Sequence, residues 1–407
     1  MLIGGLLAAA VTLTPGVEAG SDRLPTVLPA SAFEARERND TLKLPGDRKD
    51  ELRRDALARA LLWRVEPPLE DVELRHNPRD LFGGAEEVAC KFHPQKIGGS
   101  TPKFECVFAG GEVLKVKYGR TPEIHTEVAA TRLLRALGAG ADSVALMKRV
   151  RCFGCPEAPE MMLRCISTPF EEFLRHCAPV YGERSATGEL QVAIDYRKYV
   201  DFATVAVERK LEGRTIKTED VTGWGFDELD EVQADRPDPA RAERDALRLL
   251  AVLLNNWDNR ADNQRLACPE DGARMADGGC HLPFAYMQDV GGTFGRVGGA
   301  KEERKLDLEG WRSVPIWKDA ATCFVKLESP PLHGATFGEA VISEGGRSFL
   351  ARRLGRLTTS HLRDLFEGAG FADYPGATGP ERDVGEWVEA FQDKVRQITE
   401  REPCPTP

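Results

Sequence analysis

Asp258 and Asn263 stand five positions apart in the segment NNWDNRADNQRL, and Asp289 heads the turn QDVGGTFG that follows. Two carboxylates and an amide form a set of hard oxygen donors, the kind that holds a divalent cation against phosphate. Upstream, GEVLKVKYG carries Lys115 and Lys117, and the next stretch, TEVAATRLLRALG, carries Glu127. Lysine, glutamate, aspartate, asparagine, aspartate, in that order, supply what a nucleoside triphosphate and its metal require. Taken singly, each piece is also an ordinary feature: a Lys-x-Lys strand face, a polar turn after a helix, a glycine-rich turn. Their order carries the reading.

Each residue type suits one task. The strand period puts Val113, Lys115 and Lys117 on one face of GEVLKVKYG. Lys117 is the candidate for the phosphates, because it ends an apolar-x-apolar-Lys run, and Lys115 is the alternative. Glu127 precedes Ala130 and Leu134 by three and seven positions, so it shares their inward helix face and can hold the lysine. Glu123 reads instead as a first-turn carboxylate. Asp258 is placed to accept or orient the proton of an acceptor hydroxyl, and Arg260 to offset charge on the transferred group. Asn263 and Asp289 are the candidate metal ligands. Gly98, Gly99 and Ser100 lie between two strand patterns, where a turn without side chains brings backbone amides close to phosphate.

The elements that must position these residues are legible in outline. Val88–Phe92, Phe104–Phe108 and Val113–Tyr118 read as strands, and the run after them as a helix stopped at Gly138. Further helices are expected over 48–63, 239–254, 336–356 and 384–399, and a strand over 201–216. Residues 20–46 read as a tether, the stretch to 85 as irregular, and 150–200 as a cysteine-bearing insertion.

The chain has 407 residues, 42% hydrophobic and 29% charged, which suits a globular protein with a substantial core. Its net charge of −10 argues against general nucleic-acid binding. Phosphate chemistry survives that charge, because a bound divalent cation supplies positive charge locally. The first thirteen residues are apolar and uncharged, and Val17-Glu18-Ala19 fits a signal-peptidase site, so residues 1–19 read as a signal peptide. Thirteen residues are too few to span a bilayer. The expected location is periplasmic or secreted. Ten cysteines agree with an oxidising compartment. Cys90 and Cys106 bracket a hairpin, and Cys268 and Cys280 bracket a polar excursion between Asn263 and Asp289. Cys152, Cys155, Cys165 and Cys177 form a second group, for which zinc is the alternative.

With these residues in place, the stretch 86–360 resembles the protein-kinase-like superfamily. NNWDNRADN followed by QDVGGTFG is similar to the loops of HipA-like kinases and of secretory-pathway kinases related to the Golgi casein kinase, and the pair also resembles a group of bacterial exported proteins of unassigned function. The resemblance implies an α+β, two-lobed fold, with a β-rich N-lobe over 86–212, a mostly helical C-lobe over 213–400, and ATP with Mg²⁺ or Mn²⁺ between them. The implied activity is phosphoryl transfer to a hydroxyl of a protein, glycan or small molecule. A silent pseudokinase and a nucleotidyl transferase that attaches AMP are the alternatives on the same fold. The chain departs from ordinary kinases in having no full GxGxxG, no His-Arg-Asp and no Ala-Pro-Glu motif after the Asp289 turn.

Overall fold

The structure is a computed structural model that describes residues 24–28, 33–36, 40–95, 98–99, 101–166, 194–236, 238–269, 274–295, 306–327 and 336–405. The expected signal peptide, Ser100 and Cys177 lie outside the described residues.

The fold is α+β. Its β-rich half is a five-stranded closed barrel in the order β1-β2-β3-β5-β4. The strands are β1 (Glu87–His93), β2 (Lys103–Phe108), β3 (Val113–Lys117), β4 (Ser143–Phe153) and β5 (Tyr199–Arg209). All neighbours are antiparallel except β1 and β4. Alternation sorts the side chains. Phe92, Phe104, Cys106, Leu114, Val116, Val205 and Val207 fill one buried cluster. The intervening Lys103, Lys115, Lys117 and Glu208 fall on the other face, which is why this face can do chemistry.

Helix α1 (Lys49–Arg59) precedes the barrel, and α2 (Glu123–Ala136) follows β3. Nearly every α2 side chain is buried, as befits a helix covered on all sides. Gly138, at φ +76°, ends the run. A short helix, α3 (Pro159–Ile166), follows β4. β4 was not foreseen: its Lys148–Arg151 stretch breaks the apolar alternation that marks a strand.

The second half holds a sheet of β6 (Arg214–Thr215), β7 (Gln264–Cys268) and β8 (Phe284–Met287), and a pair of β9 (Phe324–Lys326) with β10 (Glu339–Val341). Around them pack α4 (Phe226–Val232), α5 (Asp238–Leu254), α6 (Leu308–Ser313), α7 (Glu344–Leu354), α8 (Thr359–Gly368) and α9 (Val384–Thr399). One core joins α2 to this half through Val128, Leu134, Leu250, Leu254, Phe366 and Trp387. Among the described residues, no helix is long and apolar enough to cross a membrane.

Two expectations are corrected. Residues 40–46 are no tether: Leu42 is buried, and its N–H donates to Thr215 O at 2.9 Å while Thr215 N–H donates to Asp40 O at 2.7 Å. The 48–63 helix stops at Arg59, after which Leu61 and Trp63 bridge to Phe284 and Ala139. Apolar residues at 61–63 continue the helical spacing, but backbone pairing to two other elements supersedes it.

Disulfides join Cys90 to Cys106, Cys152 to Cys155, Cys268 to Cys280 and Cys323 to Cys404. Cys165 is disulfide-bonded as well. Among the described residues, Cys152, Cys155 and Cys165 are all committed to S–S bonds and are no longer zinc ligands, so the zinc alternative fails for these three.

Candidate functional site

A cleft of about 3010 Å³ runs between the barrel and the second half, lined by Gly98, Gly99, Lys103, Lys115, Glu123, Glu208, Asp258, Arg260, Asn263 and Asp289 among others. It exceeds the roughly 300–1,000 Å³ of a small-molecule pocket, so one ligand leaves room for a second.

Its roof is built by strand register. Lys103 stands opposite Lys117 across β2 and β3, and Lys115 opposite Glu208 across β3 and β5. Lys117 reaches Glu127 of α2 with Nζ–Oε distances of 2.7 and 2.6 Å, and both side chains are almost fully buried. Lys117 Nζ also lies 3.7 Å from Glu208 and 3.7 Å from Asp289. Lys115 bonds Glu208 at 2.7 and 2.8 Å. One lysine therefore meets carboxylates from a helix, a strand and a turn, while the other is engaged by Glu208.

The charges follow from this cage. Burial would discharge Lys117, but Asp289, Glu127 and Glu208 outweigh it and hold its pKa well above the usual lysine range. The Lys117 ammonium holds the Asp289 carboxyl down at about 2. Burial would raise Glu208, yet Lys115 and Lys117 hold it below the usual range. Glu127 is the carboxyl that gives way: burial pushes it up to about 8, with Lys117 pulling the other way.

Lys103 is the residue the sequence reading missed. It is 8% exposed, and among the described residues its ammonium has no hydrogen bond or ion pair. Burial first, then Lys117 and Lys115, pull its pKa below the usual lysine range. A Cβ on Gly99 would meet Lys103 Nζ at 2.5 Å, and Gly99 has φ +98°, so only glycine serves at this point. The turn at 98–99 thus lies directly over a buried cation.

The floor comes from two loops tied together. α5 ends with Asn255 at φ +52°, with Asn255 N–H donating to Val252 O and Asn256 N–H to Ala251 O. This is the left-handed helix stop for which asparagine is second only to glycine. Asn255 Nδ2 then donates to Gly295 O at 2.6 Å, and Phe294 N–H to Leu254 O at 2.9 Å, which fastens the turn after Asp289 to the end of the helix. Asn259 holds the other side, donating to Phe337 O at 2.9 Å and accepting from Thr336 N and Phe337 N at 3.0 and 2.9 Å. The Asn-Asn-Trp lead-in is thus scaffold.

Asn263 donates through Nδ2 to Asp258 O at 2.8 Å, and its own carbonyl accepts from Gln288 N at 3.0 Å and Asp289 N at 3.1 Å. The 258–263 loop and the 289 turn are therefore in backbone contact, and both side chains face the cleft. Thr126 Oγ1 donates to Gly291 O at 2.6 Å, so α2 buttresses the same turn. Asp258 accepts from Arg260 Nε at 2.8 Å. Burial raises the Asp258 pKa, and Arg260 partly offsets it. Arg260 thus sits on Asp258 rather than reaching freely into the cleft.

The segment joining the halves is clamped. Asp142 Oδ1 accepts from Leu211 N at 2.7 Å and from Tyr286 OH at 2.9 Å. Arg265 donates to Leu211 O at 2.7 Å, Gly213 O at 2.6 Å and Tyr286 OH at 2.8 Å.

No protein-family model and no curated protein matches the chain. Among solved structures it is similar to the Helicobacter pylori proinflammatory kinase CtkA, with 11% identity over 77% of this chain and 97% of that one, at a TM-score of 0.41. It is also similar to the Golgi casein kinase solved with Mn and ADP bound, with 12% identity over 88% of this chain and 76% of that one, at a TM-score of 0.31. Overlap this partial is silent on chemistry; the side chains and distances of the cleft carry it.

Proposed function

We propose that this chain is a two-lobed, protein-kinase-like phosphotransferase that uses ATP with Mg²⁺ or Mn²⁺ to phosphorylate a hydroxyl of a protein, glycan or small molecule. One observation carries the reading. Lys117, held by Glu127 at 2.6 Å, stands 3.7 Å from Asp289, and Asp289 N–H is bonded to Asn263 O. The barrel with α2 is then the smaller lobe and the α5–α9 assembly the larger.

The donor chemistry fits the metal. Asn263 and Asp289 offer an amide oxygen and a carboxylate held ionised, the hard oxygens that Mg²⁺ and Mn²⁺ take in nucleotide sites. When bound, the ion neutralises phosphate charge as the terminal group leaves. The rest falls to the chain. Lys117 and Lys103 contact phosphate oxygens, the 98–99 turn closes over them, and Glu127 fixes Lys117 while Glu208 engages Lys115. Asp258 takes the proton of the acceptor hydroxyl, and Arg260 orients Asp258.

Placement outside the cytoplasm is part of the proposal, supported by four disulfides among the described residues, which need an oxidising compartment. The Asp258–Arg260 contact at 2.8 Å favours a second reading, a silent binding module whose base is already occupied. Incubation with γ-labelled ATP and Mg²⁺ or Mn²⁺ separates them. Transfer or hydrolysis that vanishes in Asp258→Ala and Asp289→Ala supports the enzyme; metal-dependent ATP binding without turnover supports the module. Label retained only from α-labelled ATP points to AMP transfer.

A further inference from the structure

Behind the roof of the cleft, the barrel encloses four sulfurs that the phosphate site does not use. Cys90 of β1 and Cys152 of β4 are register partners, and Cys106 of β2 is joined to Cys90. Cys152 is joined to Cys155 in the turn beyond its strand. The two bonds are in contact with each other: Cys106 Sγ lies 3.5 Å from Cys152 Sγ. The sulfurs of Cys90, Cys106 and Cys152 all fall within 4.8 Å of one another. Those three residues are fully buried, and Cys155, at 8% exposed, is the outermost.

Disulfides exchange when a thiolate attacks a disulfide sulfur, and the rate depends on access and on which sulfur is within reach. Here a non-bonded pair of sulfurs is already in contact, and Cys155 alone of the four retains any exposure, at 8%. We propose that Cys155, Cys152, Cys106 and Cys90 form a thiol–disulfide exchange site whose substrate is a dithiol reductant entering at Cys155.

The reductant's thiolate attacks Cys155 Sγ, the Cys152–Cys155 bond breaks, and Cys152 leaves as a thiolate. The reductant's second thiolate attacks its own sulfur in this mixed disulfide. The reductant departs as a disulfide, and Cys155 keeps the electron pair and takes a proton. Two electrons have passed from the dithiol to Cys152 and Cys155. Freed from Cys155, the Cys152 thiolate turns into line with the Cys90–Cys106 bond and attacks Cys106 Sγ, forming Cys106–Cys152 and breaking Cys90–Cys106, and Cys90 leaves as a thiolate that takes a proton. This second step is redox-neutral. It moves a covalent tie from the neighbours β1 and β2 to β2 and β4, the two strands flanking β1. The sulfurs share one buried apolar cluster with Phe92, Phe104, Met147 and Val150. Apolar surroundings raise a thiol's pKa, so exchange is slow and confined to the sulfur already in contact.

The test is disulfide mapping of the full folded chain after limiting dithiothreitol, acid quenching and alkylation. The expected product carries a Cys106–Cys152 cross-link with Cys90 and Cys155 alkylated. In Cys155→Ser, where Cys152 has no native partner, alkylation is expected to divide between Cys152 and Cys90. The proposal is overturned if the singly reduced wild type is alkylated only at Cys152 and Cys155. It is also overturned if the purified protein holds these four as thiols or as a zinc site. Should Cys155→Ser fail to fold, the wild-type mapping decides.

Discussion

Lys117 Nζ lies 3.7 Å from Asp289 Oδ1, a buried ammonium of the barrel against a carboxylate of the turn that lines the cleft. Glu127 and Glu208 complete the surroundings of that ammonium, so it governs both the fold at this point and the charge of the site.

Lys117→Met leaves Glu127 and Glu208 buried without the cation they share. Stripping one partner from a buried ionic cluster costs about 3–5 kcal/mol, so a clear drop in urea midpoint is expected together with loss of ATP binding. Glu127→Gln is expected to be milder in stability, because Glu127 is the carboxyl already pushed up to about 8. Its phosphoryl transfer should fall while its unfolding midpoint stays near wild type.

Lys103→Met separates stability from binding. A buried cation with no ion pair costs folding energy, so this variant is expected to unfold at the same or higher urea concentration. Its affinity for Mn–ATP should fall by about tenfold or more, roughly 1.4 kcal/mol. Parallel unfolding and titration of the two proteins checks both halves.

Asp142 gives a pH dependence. Burial lifts its folded pKa from 3.8 to about 6. A raised folded pKa means the protonated form is favoured in the fold, so the contribution is full below about pH 3.8 and lost as pH rises through about 6. Asp142→Asn keeps a neutral acceptor for Leu211 N and Tyr286 OH at every pH. It should match wild type near pH 4 and exceed it near pH 8 by about 1–3 kcal/mol, read from denaturant curves at both pH values.

Cys404→Ser opens the bond to Cys323, which has a sequence separation of 81. Closing a loop of this size removes denatured-state entropy worth about 4 kcal/mol. The variant should melt several degrees lower, while ATP binding in the cleft persists below the melt.

Much of the roof was legible because periodicity reports it directly. Alternation in GEVLKVKYG places Lys115 and Lys117 on one face, and spacing from Ala130 and Leu134 turns Glu127 inward. Local sequence carries no record of strand register, so Lys103 and Glu208 were invisible: they join the site only through pairing with β3. Asn255 and Asn259 were missed for a related reason. Their work is a helix stop and backbone ties to residues far along the chain, and the polar run around them reads as any loop. The Cys90–Cys106 and Cys268–Cys280 bonds follow from bracketing, whereas Cys323–Cys404 has no local pattern to announce it.

The central claim, a metal-bound triphosphate held between Lys117 and the Asn263–Asp289 pair, meets its most direct test in calorimetric titration with a non-hydrolysable ATP analogue, with and without Mn²⁺. Wild type should bind only with the metal, and Asp289→Ala and Asn263→Ala should each weaken binding by about tenfold or more. Metal-independent binding unaffected by either substitution, or no binding at all, would contradict the account.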